Sequence, residues 1–316
     1  MEDWLASGPA RRPWRSGVLA AGALACAIAS CAAPVPTARH ASATPPALAP
    51  AFAPAFAPAF ASGNAAPRQE GEAAGGPSKE DLAKQLANPI ASLISVPLQF
   101  NYDQDIGPAD GKRLLVNVQP VVPISLNEEW NLISRTIVPL IRTDDVPPGE
   151  DETGIGDTVQ SLFLSPVEPT ASGWIRGAGP VFLLPTASDR NLGRDQFGIG
   201  PTGVALKQSG PWTYGGLANH IWGDGDGGAE VDATFVQPFV TYTTPDAWTY
   251  AVNFEATYDW EIDDLALPVN VAASKVLTMG GQLVQVGVGL RYWLEDTVAS
   301  PEGWALRFNF VLLFPR

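Results

Sequence analysis

The stretch Trp248-Thr249-Tyr250-Ala251-Val252-Asn253-Phe254-Glu255-Ala256-Thr257-Tyr258-Asp259-Trp260 alternates along its whole length. Trp248, Tyr250, Val252, Phe254, Ala256, Tyr258 and Trp260 share one parity, while Thr249, Asn253, Glu255, Thr257 and Asp259 share the other. Successive side chains of a strand point to opposite faces, so this strand is apolar on one side and wet on the other. It also begins and ends on tryptophan. An indole combines a large apolar body with one N–H that needs a polar partner, and it favours the boundary between hydrocarbon and water. A strand of this kind belongs to a transmembrane β-barrel.

The pattern recurs downstream. Val284, Val286, Val288, Leu290 and Tyr292 oppose Gln285, Gly287, Gly289 and Arg291, and Trp304, Leu306, Phe308, Phe310, Leu312 and Phe314 oppose Arg307 and Asn309. Turn signals divide residues 90–316 into twelve segments, near 90–102, 112–125, 129–141, 154–165, 173–186, 196–207, 211–222, 229–242, 246–260, 265–275, 280–293 and 302–314. Trp130, Trp174, Trp212 and Trp248 open segments after short turns, whereas Trp222, Trp260, Trp293 and Trp304 flank longer loops. These eight indoles define the expected lipid-interface girdle. Six connections (103–111, 142–153, 187–195, 223–228, 261–264 and 294–300) carry 17 acidic residues and three arginines. Short turns at one end and longer loops at the other are the outer-membrane arrangement, with both termini in the periplasm. The expected fold is all-β: a transmembrane antiparallel up-and-down β-barrel of about 12 strands.

The N-terminal part is of another kind. Arg11, Arg12 and Arg15 precede an apolar run over 17–30, too short to span a bilayer and of secretory length, which makes 1–31 a signal peptide. Ile28-Ala29-Ser30-Cys31 has the form of a lipobox, with Cys31 as the lipidation site; a cut after Ala43 or Ala61 is the alternative. Residues 32–77 are rich in Ala, Pro and Gly and include the repeat Ala-Phe-Ala-Pro, which reads as a disordered tether. Ser78-Lys79-Glu80-Asp81 followed by Leu82 and Leu86 predicts a capped short helix over 78–89, just inside the periplasmic mouth, as a connector rather than a lid.

Composition excludes several functions. From Ser78 onward there are 29 acidic and 14 basic residues, the wrong balance for nucleic acid. The chain's two cysteines, Cys26 and Cys31, both lie in the leader, which removes a disulfide framework and a cysteine zinc site from the barrel. Asp224-Gly225-Asp226-Gly227-Gly228 offers too few oxygens to hold calcium alone and reads as an external turn. His220 is the one histidine after the leader and tether; it shares a parity with Trp212, Tyr214 and Trp222 and reads as an interfacial side chain. No nucleophile motif accompanies it. The chain is therefore read as a non-enzyme with no catalytic residue, metal or cofactor, its partners being outer-membrane lipid and a small-molecule solute.

Lumen-facing candidates are Gln99, Asn117, Gln119, Arg135, Asn253, Glu255, Asn270, Arg291, Arg307 and Asn309. Ionisable groups at membrane depth must face protein or water. They form either a constriction that selects solutes or a paired network that fills a narrow lumen, and both readings stand at this point. Pro97, Pro120, Pro180, Pro201 and Pro238 fall within strands, where each removes a ladder hydrogen bond; bulges or split strands are expected there.

Several runs are similar to a known family. They are Leu82-Ala83-Lys84-Gln85-Leu86-Ala87-Asn88-Pro89-Ile90-Ala91-Ser92-Leu93-Ile94-Ser95-Val96-Pro97, Gln119-Pro120-Val121-Val122-Pro123-Ile124-Ser125-Leu126-Asn127, Gly179-Pro180-Val181-Phe182-Leu183-Leu184-Pro185-Thr186 and Leu217-Ala218-Asn219-His220-Ile221-Trp222. With the ending Leu312-Leu313-Phe314-Pro315, they resemble the outer-membrane family named for the MetA pathway of phenol degradation, whose members also carry the labels transporter and neuromedin U. The resemblance runs from Leu82 to Arg316. It implies an outer-membrane channel, porin-like, for passive uptake of hydrophobic or aromatic solutes, and it carries over no catalytic residue. Here Phe314 is followed by Pro315 and Arg316, whereas many outer-membrane strands finish on the aromatic. A lipid-modifying enzyme and a structural, surface-binding barrel are the alternatives.

Overall fold

The computed structural model describes residues 78–91, 93–223, 230–295 and 300–315. The signal peptide, Cys31, the tether and the 224–228 loop lie outside the described residues. Twelve strands are present: β1 (Ile94–Ile106), β2 (Gly111–Val118, continued by Val121–Ser125), β3 (Trp130–Asp144), β4 (Glu152–Ile155, continued by Thr158–Pro166), β5 (Trp174–Leu184), β6 (Gly198–Ser209), β7 (Trp212–Gly223), β8 (Val231–Thr243), β9 (Trp248–Phe254, continued by Ala256–Asp259), β10 (Asp264–Met279), β11 (Gln282–Glu295) and β12 (Trp304–Phe314). Each pairs antiparallel with its chain neighbours. β12 pairs with β1 from Phe314↔Ile94 to Leu306↔Tyr102, and so the sheet closes without an edge. Closure satisfies the backbone of every strand inside the wall, which is what a membrane-spanning sheet requires. Among the described residues, no helix is long and apolar enough to cross a membrane.

Side chains divide by parity as the alternation requires. On β1, Val96, Leu98, Phe100 and Tyr102 face outward, and Ser95, Gln99, Asn101 and Asp103 are buried inside. On β12, Trp304, Leu306 and Phe308 face outward, and Arg307 and Asn309 are buried. The expected loop 103–111 is mostly strand: β1 and β2 run on as a hairpin joined by the short helical turn Gly107–Ala109.

The prolines are accommodated in distinct ways. β2 lapses for two residues at Gln119-Pro120, where the Gln119 N–H reaches the Pro97 carbonyl and the Pro120 carbonyl accepts from Thr136. Pro180 and Pro201 stand directly opposite each other between β5 and β6. Each follows a glycine, and at both Gly-Pro steps the ladder to the next strand is interrupted, between Ser161 and Leu164 and between Ile199 and Thr202. The glycines press on the neighbouring backbone there: a Cβ on Gly179 would lie 2.0 Å from the Leu162 carbonyl oxygen, and one on Gly200 1.7 Å from that of His220. Only a residue without a side chain permits that approach.

Helix α1 (Lys79–Gln85) is capped as expected: the Ser78 hydroxyl accepts from the Asp81 N–H, and the Asp81 carboxylate accepts from the Ser78 backbone. It is more than a connector. Leu82, Ala83, Leu86 and Ala87 are buried in one cluster with Leu93 and with Val276, Val311 and Leu313 of the wall. Ile90 reaches further in and packs with Phe163, Leu206, Phe235 and Phe239. Gln208 of β6 donates its amide to the Lys84 carbonyl. The segment is therefore a plug in the short-turn mouth, placed by an apolar face that has nowhere else to go.

Candidate functional site

The interior is two-sided. From β4 to β8 its inward residues are largely apolar, with Phe163, Val181, Leu183, Val204, Leu206, Leu217, Ile221, Phe235 and Phe239 in buried clusters. These strands are apolar on both faces, unlike 248–260, and so the segment 196–207 shows little alternation in sequence. The opposite wall, from β9 through β12 and β1 to β3, carries a polar belt.

Glu255 is the hub of that belt. It sits at the break in β9, where its N–H bonds to the carbonyl of Pro268. Its carboxylate receives two hydrogen bonds from Arg307, at 2.8 and 3.0 Å, and one from Arg291. The Gln237 amide adds a longer contact of 3.3 Å from β8. Arg307 donates its Nε to Asn101 at 2.7 Å, and Asn101 donates to Gln99 at 3.1 Å. Arg291 donates its Nε to Asn270 at 3.0 Å, and Asn270 donates to Asn253 at 2.9 Å. Towards the outer end, Asp103 accepts twice from Arg113, and Arg291 stands 3.7 Å from its other oxygen. On β3, Arg135 donates to Gln119 at 3.0 Å and feels the charge of Glu255. Three guanidiniums, of Arg113, Arg291 and Arg307, thus share two carboxylates, with Arg135 on the margin of the group. Pairing of this sort is strong and directional, and it holds residues from five strands in one arrangement.

The outer mouth is covered by the connection 185–197. Leu192 is buried against Leu115 and Ile141, Asp157 accepts from the Ala187 N–H at 3.1 Å, and Arg194 pairs with Asp259 on the far wall at 2.6 Å. The barrel axis is therefore occupied at three levels: by this loop, by the belt and by the plug.

All ten residues singled out as lumen candidates lie on the inner wall and are buried, none above 7% exposed. The belt also contains Asn101, Asp103 and Arg113, which the sequence reading placed outside the candidate set. Asn101 and Asp103 continue the parity of Gln99 and Arg113 shares that of Asn117, so alternation carries the signal; at Asp103 the expected loop 103–111 hides it. Seven of the eight girdle tryptophans face outward: Trp130, Trp174, Trp212 and Trp248 at the short-turn end, and Trp222, Trp260 and Trp304 at the other. Trp293 does not. It is buried on the inner parity of β11, with its ring 5.3 Å from the Arg291 guanidinium, because it lies two residues beyond Arg291 on the same strand.

His220 faces outward beside Trp222, their ring centroids 4.1 Å apart. Two polar neighbours stand against it. Thr234 Oγ1 is 2.7 Å from Nδ1, and Asp232 Oδ1 is 3.0 Å from Nε2 but off the hydrogen-bond direction. The Trp260 indole donates to the same threonine hydroxyl at 2.8 Å. The β7–β8 ladder is unbroken on both sides of the cluster. The N–H groups that point across it are committed to it, whereas the ladder from β7 to β6 lapses at His220 and Ile221. Among the described residues no group of three or more metal-ligating side chains forms.

A closed wall, aromatic girdles outside and paired charges within define a transmembrane β-barrel of the bacterial outer membrane. No family model and no curated protein sequence matches the chain. Its fold is similar to that of the COG4313 outer membrane channel from Pseudomonas putida F1, with a TM-score of 0.57 and 17% identity over 71% of this chain and 96% of that one. Outer membrane phospholipase A from Escherichia coli aligns with a TM-score of 0.45 and 10% identity over 69% and 90% of the two chains.

Proposed function

We propose that this protein is a porin-like outer-membrane channel for passive uptake of small, hydrophobic or aromatic solutes. The belt is the observation that carries this reading. A barrel that served only as an anchor would need no buried ring of four arginines and two carboxylates, since apolar side chains fill a narrow interior at lower cost in desolvation. The fold likeness to a protein described as a channel, and the resemblance of residues 82–316 to the MetA-pathway family, support the same reading. The apolar half of the interior suits solutes with an aromatic or aliphatic body. Planar-bilayer conductance of the full chain tests the proposal. Discrete conductance steps are expected, and a barrel that stays silent in every salt and solute tried would overturn it.

The contacts of His220 with Thr234 and Asp232 favour a second reading, a lipid hydrolase working on the outer face. Phospholipid hydrolysis in detergent, lost in His220→Ala, would support it. With no nucleophile motif beside His220 in the sequence, it ranks behind the channel.

A further inference from the structure

We infer that the belt is a binding site for a single carboxylate, and that the solutes the barrel takes are amphipathic monocarboxylates. The inference rests on the channel reading and narrows its solute class. Three features of the interior carry it.

The first is charge. Arg113, Arg135, Arg291 and Arg307 stand among Asp103 and Glu255, which leaves the belt two positive charges in excess. Uncompensated charge inside a membrane-spanning wall is expensive, and one bound anion halves it.

The second is a set of unpartnered donors. Gln99, Asn117, Gln119 and Gln285 each hold an amide nitrogen that is buried and has no hydrogen-bond partner. The first three are neighbours. Gln99 pairs across the ladder with Asn117 on one side and with Asn309 on the other, and Gln119 is the next inward residue after Asn117; Gln285 stands apart on β11, between Val276 and Val311 of the cluster that holds the plug. The arc ends at Arg135, which already holds Gln119. Each of these nitrogens is a donor, and a buried donor left unmade is costly. A carboxylate, with two oxygens and four lone-pair directions, is the complement of such an arc. A cation is not.

The third is what faces the arc. The wall from β4 to β8 presents Phe163, Phe235 and Phe239 with buried aliphatic side chains. A ligand with a charged head and an apolar body can use both walls at once, whereas an inorganic anion uses one. The acidic external loops bear on rate of approach, not on this site.

The test uses the full chain in detergent and in planar bilayers, with benzoate as probe and benzamide as its uncharged analogue. Benzoate is expected to bind at least tenfold more tightly than benzamide by titration calorimetry. Asn117→Leu removes an amide that has no partner on either atom and keeps the volume, so the barrel still folds. It should weaken benzoate at least tenfold and leave benzamide unchanged. Arg135→Gln should do the same and shift the zero-current potential in a potassium benzoate gradient away from anion preference. Equal affinity for benzoate and benzamide, or benzoate binding untouched by Asn117→Leu, overturns the carboxylate site even where the channel conducts. Benzoate that binds as expected to a barrel silent in every salt leaves the site standing and removes the channel reading instead.

Discussion

Glu255 shows how one side chain fixes an interior. It is the acceptor that holds Arg307 and Arg291, and through them Asn101, Asn270 and Asn253. Breaking a buried pair by removing one partner leaves the other charges uncompensated, at a cost of about 3–5 kcal/mol. Glu255→Ala is therefore expected to lower the stability of the folded barrel by that order. Urea unfolding in lipid vesicles, followed by loss of the heat-modifiable band on gels, measures it; an unchanged midpoint would mean that the belt carries no structural weight. Glu255→Ala together with Arg307→Met should recover part of the loss, because one of the orphaned guanidiniums goes with it. Glu255 was readable as lumen-facing from alternation alone. Its partners were not, for Arg291 lies 36 residues away and Arg307 52, and no local pattern joins them.

Strand-level features divide in the same way. Parity needs only the sequence, since a strand's side chains alternate whatever it pairs with, and so the outward faces of β1, β9, β11 and β12 were legible. Val288 lies near the middle of β11 on that face and is 63% exposed. Val288→Arg places a charge in hydrocarbon and should cost about 2–4 kcal/mol in vesicles; the same change at the outer end, Leu294→Arg, should cost about 1 kcal/mol or less. A flat response across the two positions would contradict a lipid-facing wall. The Gly-Pro steps were visible as anomalies, but their reason lies in the next strand. Gly200→Ala drives a methyl into the His220 carbonyl and is expected to block assembly, while Gly203→Ala, whose nearest neighbouring atom stands 3.9 Å away, should fold normally. Yields of folded protein on refolding into detergent separate the two.

At the scale of the whole barrel, the plug fills the short-turn mouth, on the side of the periplasm. Its hold on the wall is mainly apolar, through Leu82 and Leu86. Leu82→Asp with Leu86→Asp should expel the helix, because two buried carboxylates without partners cannot remain in that cluster. Single-channel conductance is expected to rise severalfold with the barrel still folded; no rise would show that the belt or the outer loop sets the resistance.

What the sequence determined by itself is everything that repeats locally: the number of strands, their parity, the aromatic ends facing lipid and the sides on which short and long connections fall. Only the tertiary structure decided that half of the interior is apolar, that Trp293 turns inward to Arg291, that the capped helix fills one mouth, and which charges share Glu255. The reason is closure. Alternation is a property of one strand and survives in any pairing, but what an inward side chain meets is set by strands dozens to hundreds of residues away, brought opposite it when the first and last strands join.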